Sequence, residues 1–178
     1  MPLPDWLEPL PDAAQQRALD EWAINERGIS GLELMERAGS GLADVVQQHA
    51  PTGRIAVVCG KGNNGGDGFV CARVLRELGR EAPVLLLGDP ADLQGDARTN
   101  CERLPGDAPE KFDPAALDGA SGIVDAILGT GFSGEPREPA AGAIEAINAA
   151  AQAGATVIAC DVPSGVDAST GEVHGAAV

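Results

Sequence analysis

Three short stretches hold most of the residues able to do chemistry. The first is Gly60-Lys61-Gly62-Asn63-Asn64-Gly65-Gly66-Asp67-Gly68, where Gly60, Gly62 and Gly65 satisfy G-x-G-x-x-G. Glycines at that spacing allow a tight turn and a close approach of backbone N–H groups to a phosphate, which a following helix N-terminus favours. Alone, that fingerprint is weak. Asn63, Asn64 and Asp67 are additions that an ordinary dinucleotide turn does not need. A purely structural alternative makes Asp67 a helix N-cap and the asparagines turn formers with positive φ. The second stretch is Asp125 within Ile123-Val124-Asp125-Ala126-Ile127-Leu128, followed by Gly129-Thr130-Gly131-Phe132-Ser133-Gly134-Glu135. A carboxylate inside an apolar strand is costly unless paired or coordinated. No Lys or Arg adjoins it in sequence, so its partner is a distant side chain, in a structural salt bridge, or a bound cation. The third stretch is Asp161-Val162-Pro163-Ser164-Gly165-Val166-Asp167. There Pro163 and Gly165 shape a rigid turn that presents Ser164 and backbone carbonyls, unless the turn is merely structural.

The elements around these stretches place them. Asp12 opens a D-x-x-Q cap, and apolar residues at helical spacing from Ala14 to Ala23 run on to a stop at Gly28. Ser30-Gly31-Leu32-Glu33 is a second capping box, with Leu32, Met35, Leu42, Val45 and Val46 as an apolar stripe. From Arg54 the pattern alternates. Strands are expected over Ile55–Cys59, Val84–Leu87, Ile123–Leu128 and Thr156–Cys160, with helices over Phe69–Leu78, around Leu93–Leu104 and over Ala140–Ala153. Such alternation predicts an α/β fold, a Rossmann-like three-layer sandwich with a mostly parallel central sheet, preceded by two N-terminal helices. Each chemical stretch then follows a strand, at the sheet end where open α/β folds bind ligands. Residues 1–11, with Pro2, Pro4, Pro9 and Pro11, read as an extended arm, and 12–178 as one domain. No final helix follows the last predicted strand, so the domain is expected to be incomplete at its C-terminus.

Composition narrows the classes. Twelve Lys and Arg against 27 Asp and Glu leave a net charge of −15 in 178 residues. That balance disfavours nucleic acid and anionic membrane surfaces, so any anionic ligand must be held locally. Cys59, Cys71, Cys101 and Cys160 form no C-x-x-C pair, and His49 and His174 stand alone, so zinc has little to bind. Tyr is absent, which excludes a tyrosine acid or base from these residues. There is no signal-peptide pattern at the start and no stretch long enough to span a membrane, so a cytoplasmic, reduced setting is expected.

Together, Gly62-Asn63-Asn64-Gly65-Gly66-Asp67-Gly68, Asp125 with Gly129-Thr130-Gly131, and Asp161-Val162-Pro163-Ser164-Gly165 resemble the NAD(P)H-hydrate epimerases, the YjeF N-terminal domain family. Leu34-Met35-Glu36-Arg37-Ala38-Gly39 resembles that family's N-terminal helix motif. The resemblance runs from about Arg17 to the last residue. It implies interconversion of the R and S forms of hydrated NADH and NADPH (NADHX and NADPHX) in nicotinamide nucleotide repair. By position, it places Asn63, Asn64, Gly65, Gly66, Asp67, Gly129, Thr130, Gly131, Phe132, Ser133, Gly134, Glu135 and Asp161 against the hydrate. It makes Asn64, Asp125 and Ser164 ligands of one potassium ion, a set whose single charge suits a monovalent hard cation. It also implies an ADP- or ATP-dependent hydrate dehydratase, fused or separate, and is compatible with a homodimer.

The substrate carbon of such a hydrate is a hemiaminal beside the ring nitrogen. Inversion needs loss and return of its hydroxyl, or ring opening and reclosure, and so an acid and a base. A carboxyl raised by desolvation serves both steps. Asp161 is the first candidate and Asp67 the second. Lys61 is either a phosphate contact or an exposed loop lysine, and Asp89 either a ribose contact or loop chemistry. The alternatives are a non-catalytic nucleotide-binding or scaffold module of the same fold, and an NAD-dependent dehydrogenase. Against the first stands the full set of polar crevice residues. Against the second stands the absence of Tyr, and of His in all three stretches.

Overall fold

The computed structural model describes residues 11–178, so the arm expected over 1–11 lies, up to residue 10, outside the described residues. Two helices come first: α1, Ala13–Arg27, and α2, Gly31–His49. Asp12 caps α1 as a complete capping box, accepting from Ala14 and Gln15 N–H while Gln15 returns a bond to the Asp12 N–H. Ser30 accepts from Glu33 N–H, but Glu33 turns to Arg37 instead of closing the second box. Met35, Leu42 and Val46 of the expected stripe are buried, whereas Val45 is exposed.

Five parallel strands follow: β1, Ile55–Cys59; β2, Val84–Leu86; β3, Glu110–Lys111; β4, Gly122–Ala126; and β5, Thr156–Ala159. Their helices are α3, Asn63–Glu77; α4, Gly95–Glu102; and α5, Ala140–Gln152. The edge strand β3 was not expected. Its two exposed, charged residues carry no apolar pattern, and only pairing with Leu85 and Leu86 makes them a strand.

Period-two alternation divides the core. Ile55, Val57 and Cys59 of β1 join Leu42 and Val46 of α2 and Phe69, Ala72 and Leu75 of α3 on one face of the sheet. Ala56 and Val58 meet Leu117 and Ala143, Ile144 and Ile147 of α5 on the other. These are the expected three layers.

The strand order is β3-β2-β1-β4-β5. The chain winds outward from β1 to β3, then returns to β1's other edge with β4. Connections at the carboxyl ends of β1 and β4 therefore diverge to opposite faces and leave a crevice between them.

Candidate functional site

The glycine-rich stretch is mostly helix. α3 begins at Asn63, six residues before the expected start, with Gly62 as an N-cap that makes no side-chain bond. The structural alternative for these residues is thereby overturned. Asp67 lies in the second turn of α3 and caps nothing, and no non-glycine among the described residues has positive φ. The reason is packing: Gly65 and Gly66 let the first turn press against the Gly60 carbonyl and the Met35 side chain. Helical spacing then sets Asn63, Asn64 and Asp67 on adjoining positions of one face. Asn64 is buried, and neither its Oδ1 nor its Nδ2 has a hydrogen-bond partner among the described residues. A buried amide normally finds partners, so this one is open to a water, an ion or a ligand from the cavity.

Asp125 is fully buried on β4, yet among the described residues no Lys or Arg pairs with it. Its oxygens accept from Ser164 N–H at 2.8 Å, Ser164 Oγ–H at 2.5 Å and Ile127 N–H at 3.3 Å. In place of the salt bridge considered from sequence, the structure has bonds from β4 to Ser164 in the segment after β5. Burial pushes the Asp125 carboxyl above the usual range, while the Ser164 and Ile127 bonds pull it back. Ser164 Oγ also accepts from Leu128 N–H at 2.9 Å, tying the segment after β5 to the end of β4.

Above this buried joint, Asp161 is exposed and its Oδ2 accepts from Thr130 N–H at 2.7 Å. Gly129 fits between two site residues. A Cβ there would lie 2.8 Å from Asp161 Oδ2 and 3.2 Å from Asn64 Cβ, so a side chain at this position would have to push the Asp161 carboxylate off its Thr130 bond.

The crevice is a cavity of about 1090 Å³. Asn63, Asn64, Asp67, Gly129, Thr130, Gly131, Phe132 and Asp161 line it, as the spacing anticipated. Gly65 and Gly66 are buried behind its wall, and Asp125 and Ser164 lie in the buried joint, off the wall. Ser133, Gly134 and Glu135 leave the wall, and the Glu135 side chain packs beside Gly175. The desolvated carboxyl in this cavity is Asp67, which burial, then the charges of Asp161 and Asp20, push up to about 7. Cys160 Sγ lies 4.0 Å from its Oδ2, and burial holds that thiol protonated.

Sequence reasoning missed the wall supplied by α1 and α2. Gln16, Arg17, Asp20 and Ile24 of α1, with Leu34, Met35 and Ala38 of α2, face the same space. The spacing of 16, 20 and 24 marks one helix face, but nothing in it says that the face looks onto a cavity. Lys61 also lines the space, with Nζ 3.2 Å from Asp92 Oδ2. Asp89 caps the short turn Pro90–Asp92 through Ala91 N–H at 2.8 Å, which is the loop chemistry considered for it.

Comparison with known proteins bears on the same residues. The family described as "YjeF-related protein N-terminus" matches residues 31–178. The chain is 42% identical to the NAD(P)H-hydrate epimerase of Limosilactobacillus fermentum, over 93% of this chain and 79% of that protein. It is 40% identical to the bifunctional NAD(P)H-hydrate repair enzyme Nnr of Moorella thermoacetica, over 92% of this chain but 33% of that protein. The crystal structure of yeast ynu0 superposes with a TM-score of 0.75 at 25% identity, covering 90% of this chain and 72% of that one.

Proposed function

The chain belongs to the YjeF-related N-terminal family, and from that premise we propose that it is an isomerase that interconverts the R and S forms of hydrated NADH and NADPH. The observation that carries this reading is the carboxyl pair Asp67 and Asp161 in one cavity, the first desolvated and the second aligned by Thr130 N–H. A carboxyl near 7 is balanced between giving and taking a proton at neutral pH.

The reaction suits such a pair. Asp67 in its protonated form gives its proton to the hydroxyl on the hemiaminal carbon as the C–O bond breaks. The lone pair of the ring nitrogen fills in behind, leaving a ring cation and one water. Asp161, a carboxylate on the same wall, faces that cation. Water then adds to the opposite side of the carbon and gives its proton to Asp161, exchange with solvent resets the two carboxyls, and the configuration is inverted with atoms and charge conserved. No oxidant or reductant takes part, since the pyridine nucleotide is the substrate. The wall formed by Asn63, Asn64, Gly129, Thr130, Gly131 and Phe132 holds the ring against the two acids.

A potassium ion belongs to the same proposal. Asn64, Asp125 and Ser164 would hold it, and the fit rests on the buried Asn64 amide that lacks a partner. Among the described residues no cluster of three or more His, Cys, Asp or Glu is suited to a metal, so a neutral-oxygen set with one carboxylate is what the site offers. Such an ion would supply positive charge beside Asp125 and would link the start of α3, the end of β4 and the segment after β5.

The relatives that are bifunctional repair enzymes support a place beside an ADP- or ATP-dependent hydrate dehydratase, in the same chain or separate. A homodimer and a cytoplasmic setting complete the proposal; among the described residues no helix is long and apolar enough to cross a membrane. The deciding experiment mixes the protein with pure R-hydrate and follows its conversion to S by chromatography. Conversion no faster than the spontaneous rate leaves the fold as a nucleotide-binding or scaffold module.

A further inference from the structure

The electrostatics of the cavity leave one problem open. Its wall carries the carboxylates Asp20, Asp96 and Asp161 beside the raised carboxyl of Asp67, in a chain of net charge −15. A dinucleotide must bring at least two phosphate charges into that field. The cations on the wall are Lys61 and Arg17. Lys61 is already engaged by Asp92. Asp20 is held by Gln16 Nε2 at 3.1 Å, which leaves Arg17 without a salt bridge or hydrogen bond among the described residues. The other cation of α1 behaves differently: Arg27 stacks over Trp22, 5.5 Å from the ring centre, and lies off the wall.

α1 buries none of its residues, so core packing does not explain its position. Its start is tied by Ala13 N–H to Ser169 Oγ at 3.3 Å, in the segment after β5, and its end runs into α2. The helix is thus tied at one end to the segment after β5 and at the other to α2, and Arg17 is among its residues that line the crevice. A guanidinium presents paired donors in a plane, a geometry that matches phosphate oxygens. The uncapped start of α3 at Gly62, on the same wall, offers backbone N–H groups to another part of the ligand.

We propose that Arg17 of α1 is a specificity-determining contact for a phosphate of the bound dinucleotide, a role that rests on the hydrate reading above. Two phosphates are candidates: the pyrophosphate common to NADHX and NADPHX, and the 2′-phosphate of NADPHX alone. The test titrates the chain calorimetrically with each hydrate as its equilibrated R and S mixture, so that turnover does not enter the readout. Arg17→Gln is compared with wild type and with Arg27→Gln, which removes the same charge from the same helix off the wall.

Arg17→Gln is expected to weaken binding about 10-fold, the scale of one charge-assisted hydrogen bond. Weakening of both hydrates assigns the pyrophosphate, and weakening of NADPHX alone assigns the 2′-phosphate. Arg27→Gln should bind as wild type does. Wild-type affinity in Arg17→Gln overturns the proposal, and so does equal weakening in Arg27→Gln, which would make the effect one of overall charge. Failure of the wild-type chain to bind either hydrate overturns this proposal and the functional reading together. Arg17-dependent binding without epimerisation overturns the catalytic reading alone.

Discussion

Asparagine in place of Asp67 should make this protein more stable above neutral pH. Burial and the charges of Asp161 and Asp20 raise this carboxyl from 3.8 to about 7. The folded chain thus binds a proton that the unfolded chain has released, over the window from about 4 to about 7. Within it the contribution of Asp67 to stability falls as pH rises, and above it the full penalty on the ionised form remains. A shift of that size amounts to about 4 kcal/mol, and since part of the side chain reaches the cavity we take about 2–4 kcal/mol. Asp67→Asn keeps the shape and removes the charge. At pH 8 its Tm should exceed that of wild type by ~5–12 °C for a chain of this size, while below pH 4 the two should nearly coincide. Thermal melts of both proteins from pH 4 to 8 at fixed ionic strength check this. The pH slope due to the other carboxylates is common to both and cancels in the difference. A difference that stays flat across pH 4–8 would refute the desolvated-carboxyl reasoning. Turnover of R-hydrate by the same variant should fall by ~10²–10⁴-fold.

Asp161→Asn should also lower turnover, by ~10²–10⁴-fold above the spontaneous background, while hydrate binding measured by titration changes far less. Replacing KCl with a bulky organic chloride at constant ionic strength should lower Tm or hydrate affinity, and Asp125→Asn should abolish that dependence; indifference to K⁺ in both proteins would sink the cation assignment. Ser164→Ala removes a 2.5 Å bond to Asp125 and the acceptor of Leu128 N–H, so urea melts should show a loss of ~1–3 kcal/mol. Gly39→Ala would put a Cβ 2.6 Å from the Asp67 carbonyl oxygen, forcing α2 and α3 apart at a cost of ~1–3 kcal/mol, again read by urea melts.

Much of this molecule was written in local pattern. β1 was legible because a strand buried on both faces must be continuously apolar, and Ile55 to Cys59 are all buried. Asp12 and Ser30 marked the starts of α1 and α2 because a cap is a local hydrogen bond between near neighbours. Alternation of strands and helices determined a parallel sheet, and hence that chemistry belongs after the strands. Asn63, Asn64, Asp67, Asp125, Asp161 and Ser164 stood out because polar groups at those points need a partner or a purpose.

Tertiary structure decided the rest, because the remaining choices depend on residues far apart in the chain. Glycine propensity argued for a loop over 60–68, yet α3 starts at Asn63, since Gly65 and Gly66 are there for close packing against Gly60 and Met35. Asp125 had candidate partners in a distant cation or a bound ion, and the fold supplied Ser164, 39 residues on. Asp161 appeared in sequence as the carboxyl for a dry crevice, but desolvation fell on Asp67, because a carboxyl's environment is set by what covers it in space. The cavity wall from α1 was invisible for the same reason: Gln16, Arg17 and Asp20 are ordinary polar residues of a helix until a bond to the segment after β5 and contact with α2 set that helix along the crevice.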